Sequence, residues 1–314
     1  MLAERALRHP SSGAGARVLA GRLRHTRGDL AGAIAMLTSA GDDAEPQTAA
    51  AALSYLGSAL AHRDHYADAV AVLDDAAERC RLGGLLRPMF NALFFGAMAR
   101  ANAGDLGGAL TAAEHLTAEV DRFGYDAYRS RAGNVASWLW RELGEVERSV
   151  EAAQRALDAT DLAGGHVEVE PAAHSRLQLA ECALVRGDEA GAAAWLEELA
   201  EGGFAGVAFG WRAELQRLEL AGRLEPGRAE ELLAQATRYG SAKYRALALA
   251  QLGRLDEAVA VAASSSTGSD LLVARVGPEP VARAAAERIA AGLTPELRAG
   301  FLERGLWRYR RAPC

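Results

Sequence analysis

The stretch Leu53 to Ala76, LSYLGSALAHRDHYADAVAVLDDA, constrains the chain more than any other. Leu53, Leu56, Gly57 and Leu60 fall at the three- and four-residue spacing of one helical face. Arg63-Asp64-His65 interrupts that face, and Tyr66, Ala69, Leu73 and Ala76 resume it on a second helix. Two short helices with one apolar stripe each can hide those stripes only against one another and against neighbours of the same kind. The small residues Gly57, Ala69 and Ala76 stand where two such helices come closest.

The pattern recurs. Aligned on the residue that ends each first helix, the chain gives Gly28, Asp64, Gly104, Gly144, Gly187, Gly222 and Gly253, at separations of 36, 40, 40, 43, 35 and 31 residues. Glycine suits these places because the helix must stop in the left-handed backbone region, and Asp64 is the one substitute, a residue that tolerates it better than most. After each turn a small residue lets the second helix pack: Ala33, Ala69, Ala109, Ser149, Ala192, Ala229 and Ala258. Half the residues are hydrophobic but only 6% are aromatic, and alanine supplies the difference, which favours helices packed at close range. This order of large and small residues resembles the tetratricopeptide repeat, whose period is about 34 residues. It predicts an all-α, right-handed solenoid of about seven helical hairpins with capping helices at its ends.

Residues 1–263 form the expected array, with Leu2 to Arg8 as an N-terminal cap. Breaks between hairpins fall at Gly41 to Pro46, Gly83 to Pro88, Gly124, Ala163 to Pro171, and Gly202-Gly203. Residues 264–280, from Ser264-Ser-Ser-Thr-Gly268 to Val276-Gly-Pro-Glu-Pro280, are expected to be a linker or loop. Residues 281–314 are expected to be capping helices, with Thr294 as N-cap and with Leu297, Phe301 and Leu302 covering the seventh hairpin.

The formal charge of −6 argues against a general affinity for nucleic acid or an anionic membrane, although aromatics and arginines alternate at Trp307-Arg308-Tyr309-Arg310-Arg311. No run of about 18 apolar residues occurs, and Glu4, Arg5 and Arg8 stand where a secretory signal would need an apolar core. Three scattered cysteines, Cys80, Cys182 and Cys314, read as reduced thiols in a cytoplasmic protein. Among 35 Lys and Arg residues only Lys243 is lysine, a bias of composition that weakens any single arginine as a sign of bidentate recognition.

First helices line the concave side of such a solenoid, so its binding positions are counted back from each turn. They are Asn91, Phe94, Met98 and Asn102 in the third hairpin, and Arg131, Asn134, Trp138 and Arg141 in the fourth. His174 and Glu181 follow in the fifth. The segment Tyr125 to Glu142 carries two tyrosines, two tryptophans, three arginines and an asparagine, which suits a peptide, a sugar, a nucleobase or an acidic ligand. In this reading Trp138 faces the groove, Trp140 packs in the core, and Phe94 and Met98 serve packing before binding. The two stripes are expected to share one cavity, apolar at its floor and cationic at one side.

Enzymatic signatures are missing: there is no GxxxxGK[ST] loop, GxSxG elbow or HExxH pair, so no catalytic residue and no cofactor is assigned. His62 and His65 flank a turn without a third ligand, which gives no metal site. Glu197-Glu198 and Glu230-Glu231 are sequence neighbours that point to different sides of a helix, the wrong placement for acid and base work.

Arg122 to Leu157, RFGYDAYRSRAGNVASWLWRELGEVERSVEAAQRAL, and Leu293 to Gly305, LTPELRAGFLERG, resemble the C-terminal repeat region of large actinobacterial ATP-dependent regulators, including MalT-like transcription activators. That resemblance implies a sensor part; the phosphate-binding loop and the helix-turn-helix output of such regulators have no counterpart here. The expected function is a regulatory sensor or adaptor that binds a protein, a peptide or a small polar or anionic ligand in its groove. The alternatives are an enzyme that uses the groove as its active site, and an oligomeric scaffold such as a homodimer paired through its end hairpins.

Overall fold

The computed structural model describes residues 13–42, 45–163, 169–202, 210–222, 224–264, 269–305 and 307. The expected N-terminal cap, most of the Ser264–Gly268 run, the glycine breaks at 164–165 and 203, and the arginine-rich tail after Trp307 lie outside the described residues. Among the described residues there are 17 α-helices, one 3-10 turn at Asp126–Tyr128, and no strand. The seven hairpins are α1 (Ala14–Thr26) with α2 (Leu30–Asp42), α3 (Pro46–His62) with α4 (Tyr66–Leu82), α5 (Leu86–Ala103) with α6 (Leu106–Phe123), α7 (Arg129–Glu142) with α8 (Val146–Ala163), α9 (Val169–Val185) with α10 (Glu189–Glu201), α11 (Gly210–Leu220) with α12 (Pro226–Arg238), and α13 (Ala242–Gln251) with α14 (Leu255–Ala262). Three further helices follow: α15 (Asp270–Val276), α16 (Glu279–Ala291) and α17 (Pro295–Arg304).

The local rules read from the sequence hold at every hairpin. Gly28, Gly104, Gly144, Gly187, Gly222 and Gly253 all have φ between 62° and 98°. Asp64, with φ of 64°, is the one non-glycine residue with positive φ among the described residues. Ala33, Ala69, Ala109, Ser149, Ala192, Ala229 and Ala258 are each at most 1% exposed. At the α3–α4 contact a Cβ added to Gly57 would lie 2.3 Å from Cγ of Leu73, so these two helices touch at a distance that excludes a side chain.

Odd-numbered helices stack on one another along the inner side: α1 on α3, α3 on α5, α5 on α7, α7 on α9, and onward to α15. The inner side does not stay open, because α15 returns against α5. One core cluster joins Val135, Trp138 and Leu139 of α7 to Leu215 of α11, Leu247 of α13, Leu272 of α15 and Phe301 of α17. Polar seams follow the same path. Arg212 Nη2 donates to the His62 carbonyl at 2.9 Å, and Ser241 Oγ and the Lys243 amide donate to Asp64 Oδ2 at 2.8 and 2.9 Å. Ser269 Oγ donates to the Asn102 carbonyl.

Two expectations are corrected here. The stretch 264–280 contains α15, which Ser269 caps by accepting from the Leu272 amide, and Leu271, Leu272, Val273 and Val276 are buried. A run that reads as a linker from its serines and prolines becomes a packed helix because the solenoid supplies the apolar wall. α17 lies against the fourth turn and not over the seventh hairpin: a Cβ on Gly144 would sit 2.7 Å from the Arg304 carbonyl, and Arg304 Nη2 pairs with Glu145 at 3.1 Å. Phe301 is fully buried there, while Leu297 and Leu302 pack at the edge of the core. No helix among the described residues is long and apolar enough to cross a membrane.

Candidate functional site

The inner helices carry a register that joins equivalent positions of neighbouring repeats. Four side-chain contacts each span 37 residues: His25 to His62, Asn91 to Ser54, Asn134 to the Pro171 carbonyl, and Arg141 to Gln178. Asn91 therefore stitches α5 to α3, donating to Ser54 Oγ and O at 3.0 and 3.1 Å, and Asn134 stitches α7 to α9, also accepting from Ser175 Oγ at 2.8 Å. Asn134, buried and bonded at both ends of its amide, stabilises the stack and has little left for a ligand.

Trp138 lies on the inner side as expected but is buried there, and Trp140, expected in the core, is only half-buried. Trp138 is buried at 9% exposure, and its indole N–H donates to Glu142 Oε1 at 2.7 Å. Trp140 is half-buried on the other side, with the Arg148 guanidinium 3.6 Å above its ring. Since α11, α13 and α15 occupy the concave side, the residue aimed inward becomes the core residue. Phe94 and Met98 are partly buried against that core, as packing residues. Arg131 lies 5.5 Å from the Tyr128 ring and donates to the Ala127 carbonyl at 2.8 Å.

Arg141 and Glu181, both read as inner-face residues, do meet, at 2.9 Å. Glu142 and Arg275, which the sequence reading missed, complete the cluster: Arg275 Nη2 reaches Glu142 Oε1 at 2.7 Å and Glu181 Oε1 at 3.9 Å, and Arg141 Nη2 reaches Glu142 Oε1 at 3.6 Å. Two guanidinium groups and two carboxylates thus balance in charge. Glu142 is fully buried and its Oε2 has no hydrogen-bond partner.

Beside this cluster lies a small pocket lined by Tyr66, Asn102, Trp138, Lys243, Ser269, Leu271, Leu272 and Arg275. Its empty space, including the part open to solvent, is about 230 Å³, within which there is room for about one water molecule. Lys243 Nζ donates to Asn102 Oδ1 at 2.9 Å and sits 5.3 and 5.6 Å from the ring centres of Trp138 and Tyr244. Burial, then the nearby Arg275 charge, pulls its pKa down to about 8. The one sequence signal for Lys243 was its being the only lysine.

A partly buried histidine pair also lies on the inner helices. His25 Nε2 and His62 Nδ1 share a hydrogen bond of 2.7 Å, and the His62 ring meets Phe95 edge-on at 5.0 Å. Burial, then the Arg212 and Arg22 charges, lowers His25 to about 4. His62 is lowered by burial and by His25 and Arg212, and His174 by burial and by Lys243, Arg131 and Arg212, with Glu170 opposing. His65 turns outward to Asp68 at 3.7 Å, away from His62. No cluster of three His, Cys, Asp or Glu side chains fit for a metal occurs among the described residues.

No protein-family model matches the chain, and no curated protein matches it. Among solved structures it is similar to the Rap conjugation gene regulator of the plasmid pLS20 in complex with the Phr* peptide, at 14% identity and a TM-score of 0.44, over 93% of this chain and 72% of that one.

Proposed function

We propose that this chain is a helical-repeat binding scaffold, a regulatory sensor or adaptor, and that the inner face of its closed solenoid receives a small polar or anionic ligand. The observation that carries this reading is the convergence of Lys243 and Arg275 with Trp138, Tyr66 and Asn102 at one pocket on the inner face. Cations beside aromatic faces recognise anions and flat polar groups, and recognition requires no acid and base pair. The pocket has room for about one water, so it is suited to one polar or charged terminal group of a ligand and not to a whole peptide. The resemblance of Arg122–Leu157 to the sensor part of MalT-like regulators agrees with a sensing role, and buried free Cys80 and Cys182 agree with a cytoplasmic setting.

Thermal denaturation with a panel of small carboxylates, organophosphates, neutral sugars and an acidic peptide tests the reading. A ligand present at about 100 times its Kd stabilises by about 2.7 kcal/mol, which is several degrees in Tm. An acid from the panel should produce such a shift and remain chemically unchanged. Turnover of the stabilising compound would favour the enzyme reading, and a panel without any shift would contradict a small-ligand scaffold.

A further inference from the structure

We infer that the pocket between α5, α7, α13 and α15 is an oxyanion site in which the Lys243 ammonium takes the carboxylate or phosphate end of the ligand. The inference rests on the binding-scaffold reading and narrows it to one residue and one chemical group.

Lys243 is partly buried, and an ammonium group withdrawn from water is costly to the extent that no carboxylate or set of acceptors compensates it. Lys243 has three N–H donors and uses one, on the neutral Asn102 Oδ1 at 2.9 Å. No carboxylate stands within ion-pair distance of its Nζ among the described residues. The nearest acids are committed elsewhere. Asp64 accepts from Tyr66 Oη at 2.8 Å, from Ser241 Oγ and from the Lys243 backbone amide, while Glu142 and Glu181 are divided between Arg141 and Arg275. Asp64 and Glu142 act on the ammonium only through space.

Arg275 lines the same space, but its charge is matched by Glu142 and Glu181, whereas Lys243 has no carboxylate in contact among the described residues. Tyr66 and Ser269, the hydroxyls of the lining, both donate to protein acceptors. The amino-acid usage points the same way. With arginine at 34 of 35 Lys and Arg positions, the single lysine places its compact ammonium 5.3 Å from the Trp138 ring centre. The pocket has room for about one water, so an acid group reaches Lys243 with one oxygen while the rest of the ligand stays outside.

The test compares sodium acetate, sodium phosphate and sodium chloride at equal ionic strength on the whole protein and on Lys243→Met, which keeps the length of the side chain and removes the charge. Acetate should raise the Tm of the wild type by a few degrees relative to chloride and leave Lys243→Met unmoved; a larger shift with phosphate would assign the site to phosphate groups. Reductive methylation with formaldehyde gives a second readout that needs no variant, because Lys243 is the only side-chain amine and the α-amino group serves as an internal control. Acetate should slow methylation of Lys243 at least about fivefold relative to chloride without affecting the control. Equal Tm shifts in wild type and variant, or equal methylation in acetate and chloride, would overturn the site. If a compound from the panel stabilises both proteins equally, the oxyanion site fails and the scaffold reading stands; if none stabilises either, both fail.

Discussion

Gly104 and Asn102 are two residues apart, yet different physics decides what each does. Gly104 ends α5 with φ of 98°, a demand set by the local backbone alone. Asn102 is set by residues far down the chain: its side chain accepts from Lys243, 141 positions away, and its carbonyl accepts from Ser269, 167 positions away. The same contrast separates all seven turns from the inner face beside them. The turn conformation is set locally and repeats at every hairpin; the inner face combines a 37-residue register with single long-range contacts that do not repeat. Asp64 belongs to both regions, since it adopts the turn conformation of the glycines and its carboxylate binds Ser241 and the Lys243 amide. The single exception in the turn series is where the returning half of the chain is fastened.

The contrast can be broken most forcefully at the two tryptophans. Trp138→Ala should destabilise by about 4 kcal/mol, as a buried aromatic on the closed inner face, while Trp140→Ala should cost about 1 to 2 kcal/mol through partial burial and the lost contact with Arg148. Urea midpoints check both, and equal effects would mean that the inner face is open. Next comes a pair of turns. Gly144→Val should cost about 3 kcal/mol or more, because the left-handed φ of 83° and the Arg304 backbone both oppose a side chain. Gly187→Val, with φ of 77° and open space around it, should cost about 1 kcal/mol. A pair of equal losses would remove α17 from the fourth turn.

Acid should act on the inner face and leave the turns alone. His25 titrates near 4 in the fold and near 6.5 when unfolded, so between these values the unfolded chain holds a proton that the folded chain lacks. Stability is therefore full above about pH 6.5 and declines as pH falls toward 4, by up to about 3 kcal/mol. Urea titrations at pH 7.5 and 5 should show the decline in the wild type and a smaller one in His25→Gln. Identical pH dependence in the two proteins would place the acid sensitivity elsewhere.

How legible the molecule was in its sequence follows from this division. The turn glycines, the small residues after them and the helix pairs were readable because each reflects a contact within one repeat. Asp64 was visible as an exception, but its partners at 241 and 243 have no local signature. Asn91, Asn134 and Arg141 do bond to neighbouring inner helices, and Arg141 meets Glu181. Their burial was not foreseen, because periodicity locates a face and is silent on whether a later part of the chain covers it. Trp138 is for that reason an inner-face residue and a core residue at once. Lys243 and Arg275 lie on helices whose own patterns are unremarkable, and only the rarity of lysine marked one of them.

Closure of the solenoid through Asp64 is tested most directly by a double-mutant cycle between Asp64→Gly and Ser241→Ala, residues 177 positions apart. Glycine keeps the backbone conformation of the turn and removes the carboxylate, so the cycle isolates the fastening from the turn. A coupling of about 1 kcal/mol in urea unfolding is the predicted result. Effects that add within about 0.3 kcal/mol would show that the two residues do not meet, and would contradict the closed inner face on which the ligand site depends.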